Sequence, residues 1–269
     1  MADVVLVVLR RPELATTLLH AAQRVATLMG GARLNVLAVQ EQSRVSALGA
    51  EALIAEARSM EQTKQQERLR VATLQGAFAA WVRETGSDAY WTEAEGSAPA
   101  IIGERGSRAD LVVVGQPPED DRLARQAFSA ALFGTDRPVL MVPPGSSTDF
   151  GRRIAIAWRD EKRAVSAVIP ALRWLSGAEH VHVLCGVREG APAPVMPRVL
   201  REHGIAADLH TLRIGAAPFG QTLLEAAHDV SADLLVMGAY AHSPLRELVF
   251  GGVTRRMIDR ADLPVLMRH

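Results

Sequence analysis

The sequence predicts an α/β protein built from two tandem copies of one unit, each an open parallel five-stranded sheet flanked by helices. Three observations lead there. Apolar segments recur at long, nearly constant offsets, as a duplicated unit requires. Short β-rich runs alternate with amphipathic helical stretches, the pattern of right-handed crossovers in a parallel sheet. The fourth run of the second copy, "LLVM", is apolar without alternation, as suits a central strand covered on both faces.

Taken in order, the first copy opens on "VVLVVLR" from Val4, which resembles "IAIAWR" from Ile154. Next comes the polar helical stretch Glu51–Gly86, whose counterpart in the second copy is only "APVMPRVLREHG". The first copy therefore carries an insertion, expected as a long helix or helical pair. Leu74, Phe78, Trp81 and Val82 recur there at helical spacing and can pack, whereas "SMEQTKQQER" is too polar to bury. "ADLVVVG" at Ala109–Gly115 returns as "ADLLVMG" at Ala232–Gly238, and "PVLMVP" at Pro138–Pro143 returns as "PVLMRH" at Pro264–His269. The turn-rich "PPGSSTDFG", Pro143–Gly151, marks a linker, which sets the units at 1–145 and 151–269. In the second unit the β-rich runs are Ile154–Trp158, His180–Val187, Asp208–Ile214, Leu234–Met237 and Pro264–Met267. Between them "GQTLLEAAHDVS" places Leu223, Leu224, Ala227 and Val230 on one helical face. The two units are expected to pack face to face, with "PVLMVP" and "PVLMRH" close together so that their strand edges cover one another.

Composition limits the function. Thirty basic residues balance thirty acidic ones, which favours neither nucleic acid nor an anionic membrane as partner. The single cysteine, Cys185, excludes an intramolecular disulfide and suits a reducing compartment. The apolar run at the N-terminus is too short to span a bilayer and lacks the basic flank of a signal peptide. A cytoplasmic protein is expected.

The segment richest in chemistry is "GAYAHSPLRELVFGGVTRRM", Gly238–Met257. Gly238 ends a strand at the carboxyl edge of the sheet, where ligands of open α/β folds bind, and a glycine there lets the backbone approach a ligand. Ser243 and Pro244 suit the start of a short helix. After Gly251–Gly252 a second helix begins, whose first N–H groups, at Val253 and beyond, suit an anion.

This arrangement resembles the universal stress protein family, along the whole chain as two copies. Its nucleotide-binding members carry a glycine, two residues, a glycine, nine residues, then a glycine followed by serine or threonine. Here those positions hold Gly238, Ala241, Gly251 and Gly252, so the spacing is intact and two of the four residue types differ. The aspartate that members hold after the first strand falls at Arg159, with Asp160 beside it as a substitute or a helix cap. The resemblance implies a Rossmann-like fold of the adenine nucleotide alpha hydrolase kind. It also implies a non-enzymatic stress-response protein, with weak ATP binding at most, in the second unit. The site residues would be Asp160, Gly238, Ala241, His242, Gly251, Gly252 and Val253. Two other readings stay open: a slow ATP hydrolase using the same pocket, and a ligand-independent scaffold for a protein partner. Single-copy members pair as dimers, often through the last strand, and a fused pair can satisfy that contact internally. A homodimer of the whole chain stays open.

In the first unit the corresponding loop is "QPPEDD". Pro117 and Pro118 remove two backbone donors, and Glu119, Asp120 and Asp121 would repel phosphate. No ATP binding is expected there. His180, His182 and Cys185 do not form a metal set, since on a strand the two histidines share a face and the cysteine takes the other. Thr254 is a candidate replacement hydroxyl, Arg255 and Arg256 are candidate phosphate neighbours, and Trp158 and Trp174 read as core or interface residues.

Overall fold

The computed structural model describes residues 2–41, 50–239 and 252–269, the side chains of 50–59 excepted. The chain begins with β1 (Val4–Leu9), α1 (Pro12–Leu28) and β2 (Arg33–Glu41), followed by α2 (Ala50–Thr85), β3 (Ala89–Gly96) and α3 (Ala98–Gly106). It continues through β4 (Leu111–Gly115), α4 (Arg122–Gly134) and β5 (Val139–Val142). After Pro143–Gly151 come β6 (Arg153–Trp158), α5 (Lys162–Gly177), β7 (His180–Val187), the one-turn α6 (Arg198–Glu202) and β8 (Asp208–Arg213). Then α7 (Phe219–Asp229), β9 (Leu234–Gly238), α8 (Gly252–Arg260) and β10 (Val265–Arg268) complete the fold.

The ten strands form one sheet in the order β3-β2-β1-β4-β5-β10-β9-β6-β7-β8. Each half is a parallel five-stranded sheet, as expected. The halves do not pack face to face, however. β5 and β10 pair antiparallel, with Leu140 opposite Leu266, and fuse the halves edge to edge. The physical reason lies in side-chain alternation. On β1, Val5, Val7 and Leu9 enter one core with Ala15, Leu18 and Trp81, while Leu6 and Val8 enter the opposite one with Ile102 and Phe128. In the second half Ile154 and Ile156 join the first core with Trp174, and Ala155 joins the second with Leu223 and Met257. Helices thus cover both faces of both halves, so the halves meet through strand edges, and the backbone groups of β5 and β10 satisfy one another. "PVLMVP" and "PVLMRH" do lie side by side.

The insertion is a single helix of 36 residues. Leu74 and Trp81 are fully buried, Phe78 and Val82 pack partly buried against them, and Gln62–Arg68 is mostly exposed. The linker is pinned at its end: Phe150 is buried, its carbonyl accepts from Arg24 Nε at 2.7 Å, and the Gly151 amide donates to Asp233 Oδ1 at 2.7 Å. None of the described helices is long and apolar enough to cross a membrane.

Candidate functional site

The carboxyl ends of β6, β7 and β9 open onto a cavity of about 680 Å³. Trp158 and Arg159 come from the end of β6, and Val187 and Arg188 from the end of β7 and the residue after it. The loop after β7 contributes Ala191, Pro192 and Pro194, while Ile214 and Phe219 supply an apolar wall. Gly238 and the first turn of α8, Gly252, Val253 and Thr254, close the circuit. The first N–H groups of a helix lack an intrahelical acceptor and carry its positive dipole end. Both charged side chains among the described lining residues are arginines, so the site suits an anion with an apolar body. Arg159 is itself held by Glu161, Nε to Oε1 at 2.7 Å.

Of the expected site residues, Gly238, Gly252 and Val253 line the cavity. Ala241, His242, Ser243 and Gly251 lie outside the described residues. Asp160 is exposed and does not line the cavity; nor does it cap α5, whose N-cap position is taken by Glu161. The turn after β6 spends Arg159 on the cavity and leaves Asp160 pointing elsewhere. Trp158 is half-buried, packed against the first core while also lining the cavity, and Trp174 is buried. Thr254 lines the cavity but is fully buried.

The glycines divide by role. A Cβ on Gly238 would meet Arg163 C and O at 3.0 Å and Ala164 N at 3.2 Å. This glycine lets α5 start hard against the end of β9, a packing need that sequence reasoning had assigned to a ligand. A Cβ on Gly252 would meet nothing within 4 Å. Gly220 lets α7 and α8 touch, since its Cβ would stand 2.8 Å from Arg256 Cβ and 3.3 Å from Val253 Cα.

At the equivalent edge of the first half the cavity shrinks to about 30 Å³, roughly the share of one water. Leu14, Leu18 and Phe128 are among the residues around it. The α2 insertion seals the neighbouring strand ends: Arg70 donates to Arg10 O at 2.8 Å and Val39 O at 2.6 Å, and holds both oxygens of Glu67. Glu67 in turn accepts from the Glu41 amide at 3.1 Å. The acidic loop has structural duties. Asp121 caps α4 by accepting from the Ala124 amide at 2.8 Å, and Glu119 pairs with Arg260 at 3.4 Å. Gln116 turns to the other half, donating to Ile258 O at 2.9 Å and Ala261 O at 3.1 Å.

Cys185 faces the opposite core from His182, and burial pushes its thiol up to about 11, which makes it unreactive at neutral pH. His180 and His182 share a face, as the strand register requires. Their neighbour His210, one strand away, was not visible to sequence reasoning.

The universal stress protein family model matches residues 111–269, more than half of the chain. Among solved structures, a universal stress protein from Archaeoglobus fulgidus DSM 4304 superposes with a TM-score of 0.69 at 16% identity, over 100% of this chain and 98% of that one. A functionally unknown protein from Pseudomonas aeruginosa PAO1 superposes with a TM-score of 0.61 at 14% identity, over 99% and 92% of the two chains. At such identities these likenesses speak for the fold alone. No curated protein matches the sequence. With its strand order, its glycine-spaced carboxyl edge and the family match from β4 to the last residue, the chain belongs to the universal stress protein family.

Proposed function

We propose that this is a cytoplasmic stress-response protein that works by binding rather than by chemistry. Its second half weakly holds a small phosphate-bearing ligand of the adenine-nucleotide class. Its first half is a structural partner that binds no nucleotide. The observation that carries this reading is the contrast between equivalent edges, about 680 Å³ open in one half and about 30 Å³ left in the other. Arg159, Arg188 and the start of α8 offer donors to an anion, and the apolar wall offers a surface for a base. The donor set suits binding without a divalent cation, because no carboxylate stands among the described lining residues.

Gly252 lacks the hydroxyl that family binders carry, which forgoes a hydrogen bond to a charged oxygen, about 1.5–3 kcal/mol or ten- to a hundredfold in affinity. Calorimetric titration with ATP, with Trp158 fluorescence as a second readout, tests the reading. Wild type should bind weakly, and Ala241→Gly with Gly252→Ser should bind at least about tenfold more tightly. Tight binding by the unaltered chain, or no gain in the double variant, overturns the assignment.

A further inference from the structure

Toward the amino end of β7, three imidazoles gather on one face of the sheet. His180 and His182 stack, ring centroids 6.2 Å apart and planes 13° from parallel. His182 Nδ1 lies 3.1 Å from His210 Nε2. The register makes this meeting, since β8 sets Asp208 opposite His182 and His210 opposite Leu184. Both partners of His182 therefore sit on β8, the last strand of the sheet. Asp208 Oδ2 is 3.8 Å from His182 Nδ1, on a side chain 74% exposed. His182 itself is 8% exposed, and its Nε2 has no hydrogen-bond partner among the described residues.

An imidazole nitrogen is either a donor or an acceptor, and in the cation both are donors. The His182–His210 contact is satisfied when one of the two facing nitrogens carries a proton. When both rings are charged, N–H opposes N–H and two cations sit side by side, with His180 next to them. No proton can reach the buried Nε2 of His182 without leaving an unpaired buried donor. A metal site is the poorer reading, because among the described residues no three ligating groups converge and Nε2 lacks the outer partner of a ligating imidazole.

We propose that the β7–β8 ladder is an acid-sensitive edge: protonation of the His182–His210 pair breaks the imidazole contact and loosens β8 from the sheet. The groups around His182 favour this. Burial first, then His210, His180 on its own strand and Arg153 on β6 all depress its affinity for a proton, and Asp208 alone opposes them. Of the residues of α7, Gly220, Leu223, Ala226 and Ala227 are buried and uncharged, while Glu225, His228 and Asp229 are exposed, His228 against Asp262. A depressed histidine binds fewer protons folded than unfolded, so its stabilisation is full above the ordinary value of 6.5 and is lost as the pH falls below it. The first half is an internal control, with Asn35 and Thr92 at the positions of His182 and His210 by strand register. Because β7 leads to Arg188 and β8 to Ile214, loosening the ladder would also open the cavity wall; that consequence alone rests on the cavity being a ligand site.

Hydrogen–deuterium exchange of the ligand-free full chain at pH 7.5 and 5.5, normalised for intrinsic exchange, tests the proposal. Amides of Leu209–Arg213 should lose about tenfold in protection at the lower pH, while the β2–β3 ladder keeps its own. His182→Leu, or His210→Gln should the first variant fail to fold, should abolish the difference. Equal protection of β8 at both pH values, an equal loss in β2–β3, or a loss that persists in folded His210→Gln would overturn it. Since no ligand is present, failure of nucleotide binding leaves this result untouched.

Discussion

At Gly238 any side chain would run into the backbone of Arg163 and Ala164 at 3.0–3.2 Å, and backbone cannot rotate away as a side chain can. Gly238→Ala is therefore expected to cost about 1–3 kcal/mol, the usual scale of overpacking, seen as a lower urea midpoint at unchanged slope. Gly252→Ser should leave that midpoint unmoved or slightly raised, because the added atoms meet open space and serine is the better helix former. Equal destabilisation by both variants would refute the distinction. Cys185 offers a second check at this scale. With its thiol held near 11 by burial, a thiol reagent at pH 8 should label it only in denaturant; rapid labelling of the native protein would contradict its buried position.

Among the elements, α2 has the plainest task. Through Arg70 it ties together the ends of β1 and β2 with two donated hydrogen bonds, to Arg10 O and Val39 O, while two more go to Glu67 on the same helix. Arg70→Lys should fail to rescue Arg70→Ala, because an ammonium lacks the planar fork that meets two carbonyls and a carboxylate at once; full rescue would reduce the arginine to a point charge. Burial pushes the Glu67 carboxyl up, yet Arg70 and the Glu41 amide outweigh it and hold the group below its ordinary 4.5. A depressed carboxyl stabilises above that value and ceases to do so as the pH falls through the folded one. The stability gap between wild type and Glu67→Gln should accordingly be constant above about pH 4.5 and shrink below it; a gap that widens in acid would reverse the sign of this argument. α8 is held from the other half, with Arg125 Nη2 2.6 Å from Asp259 Oδ1, so the helix whose first turn lines the open cavity is steadied by the closed half.

For the molecule as a whole, the antiparallel β5–β10 pair is the hinge of the architecture. Val139, Leu140, Met141, Val265, Leu266 and Met267 are all fully buried, so separating the halves would uncover an apolar strand edge on each. Chains cut between Gly145 and Gly151 and produced together should co-purify as one complex, while either alone should self-associate or aggregate. Two fragments that stay stable monomers when mixed in sedimentation experiments would show that the shared edge is dispensable.

What the sequence by itself determined was whatever is written in contiguous residues. Strand–helix alternation, the duplicated "ADLVVVG" and "PVLMVP" runs and the long insertion all follow from local periodicity and repetition, and each appears in the fold. Gly238, Gly252 and Val253 were legible as edge residues because a strand end and a helix start announce themselves locally. Tertiary structure alone decided which edge met which, since apolar strands predict contact without its geometry. It alone gave Gly238 its neighbour in α5, filled the first half's cavity with Leu14 and Phe128, and took Asp160 off the site by one residue of turn. It also brought His210 to His182 across 28 residues of chain. These meetings depend on strand register and loop path, which place distant residues together through the packing of the whole sheet and leave no trace in the neighbours of either residue.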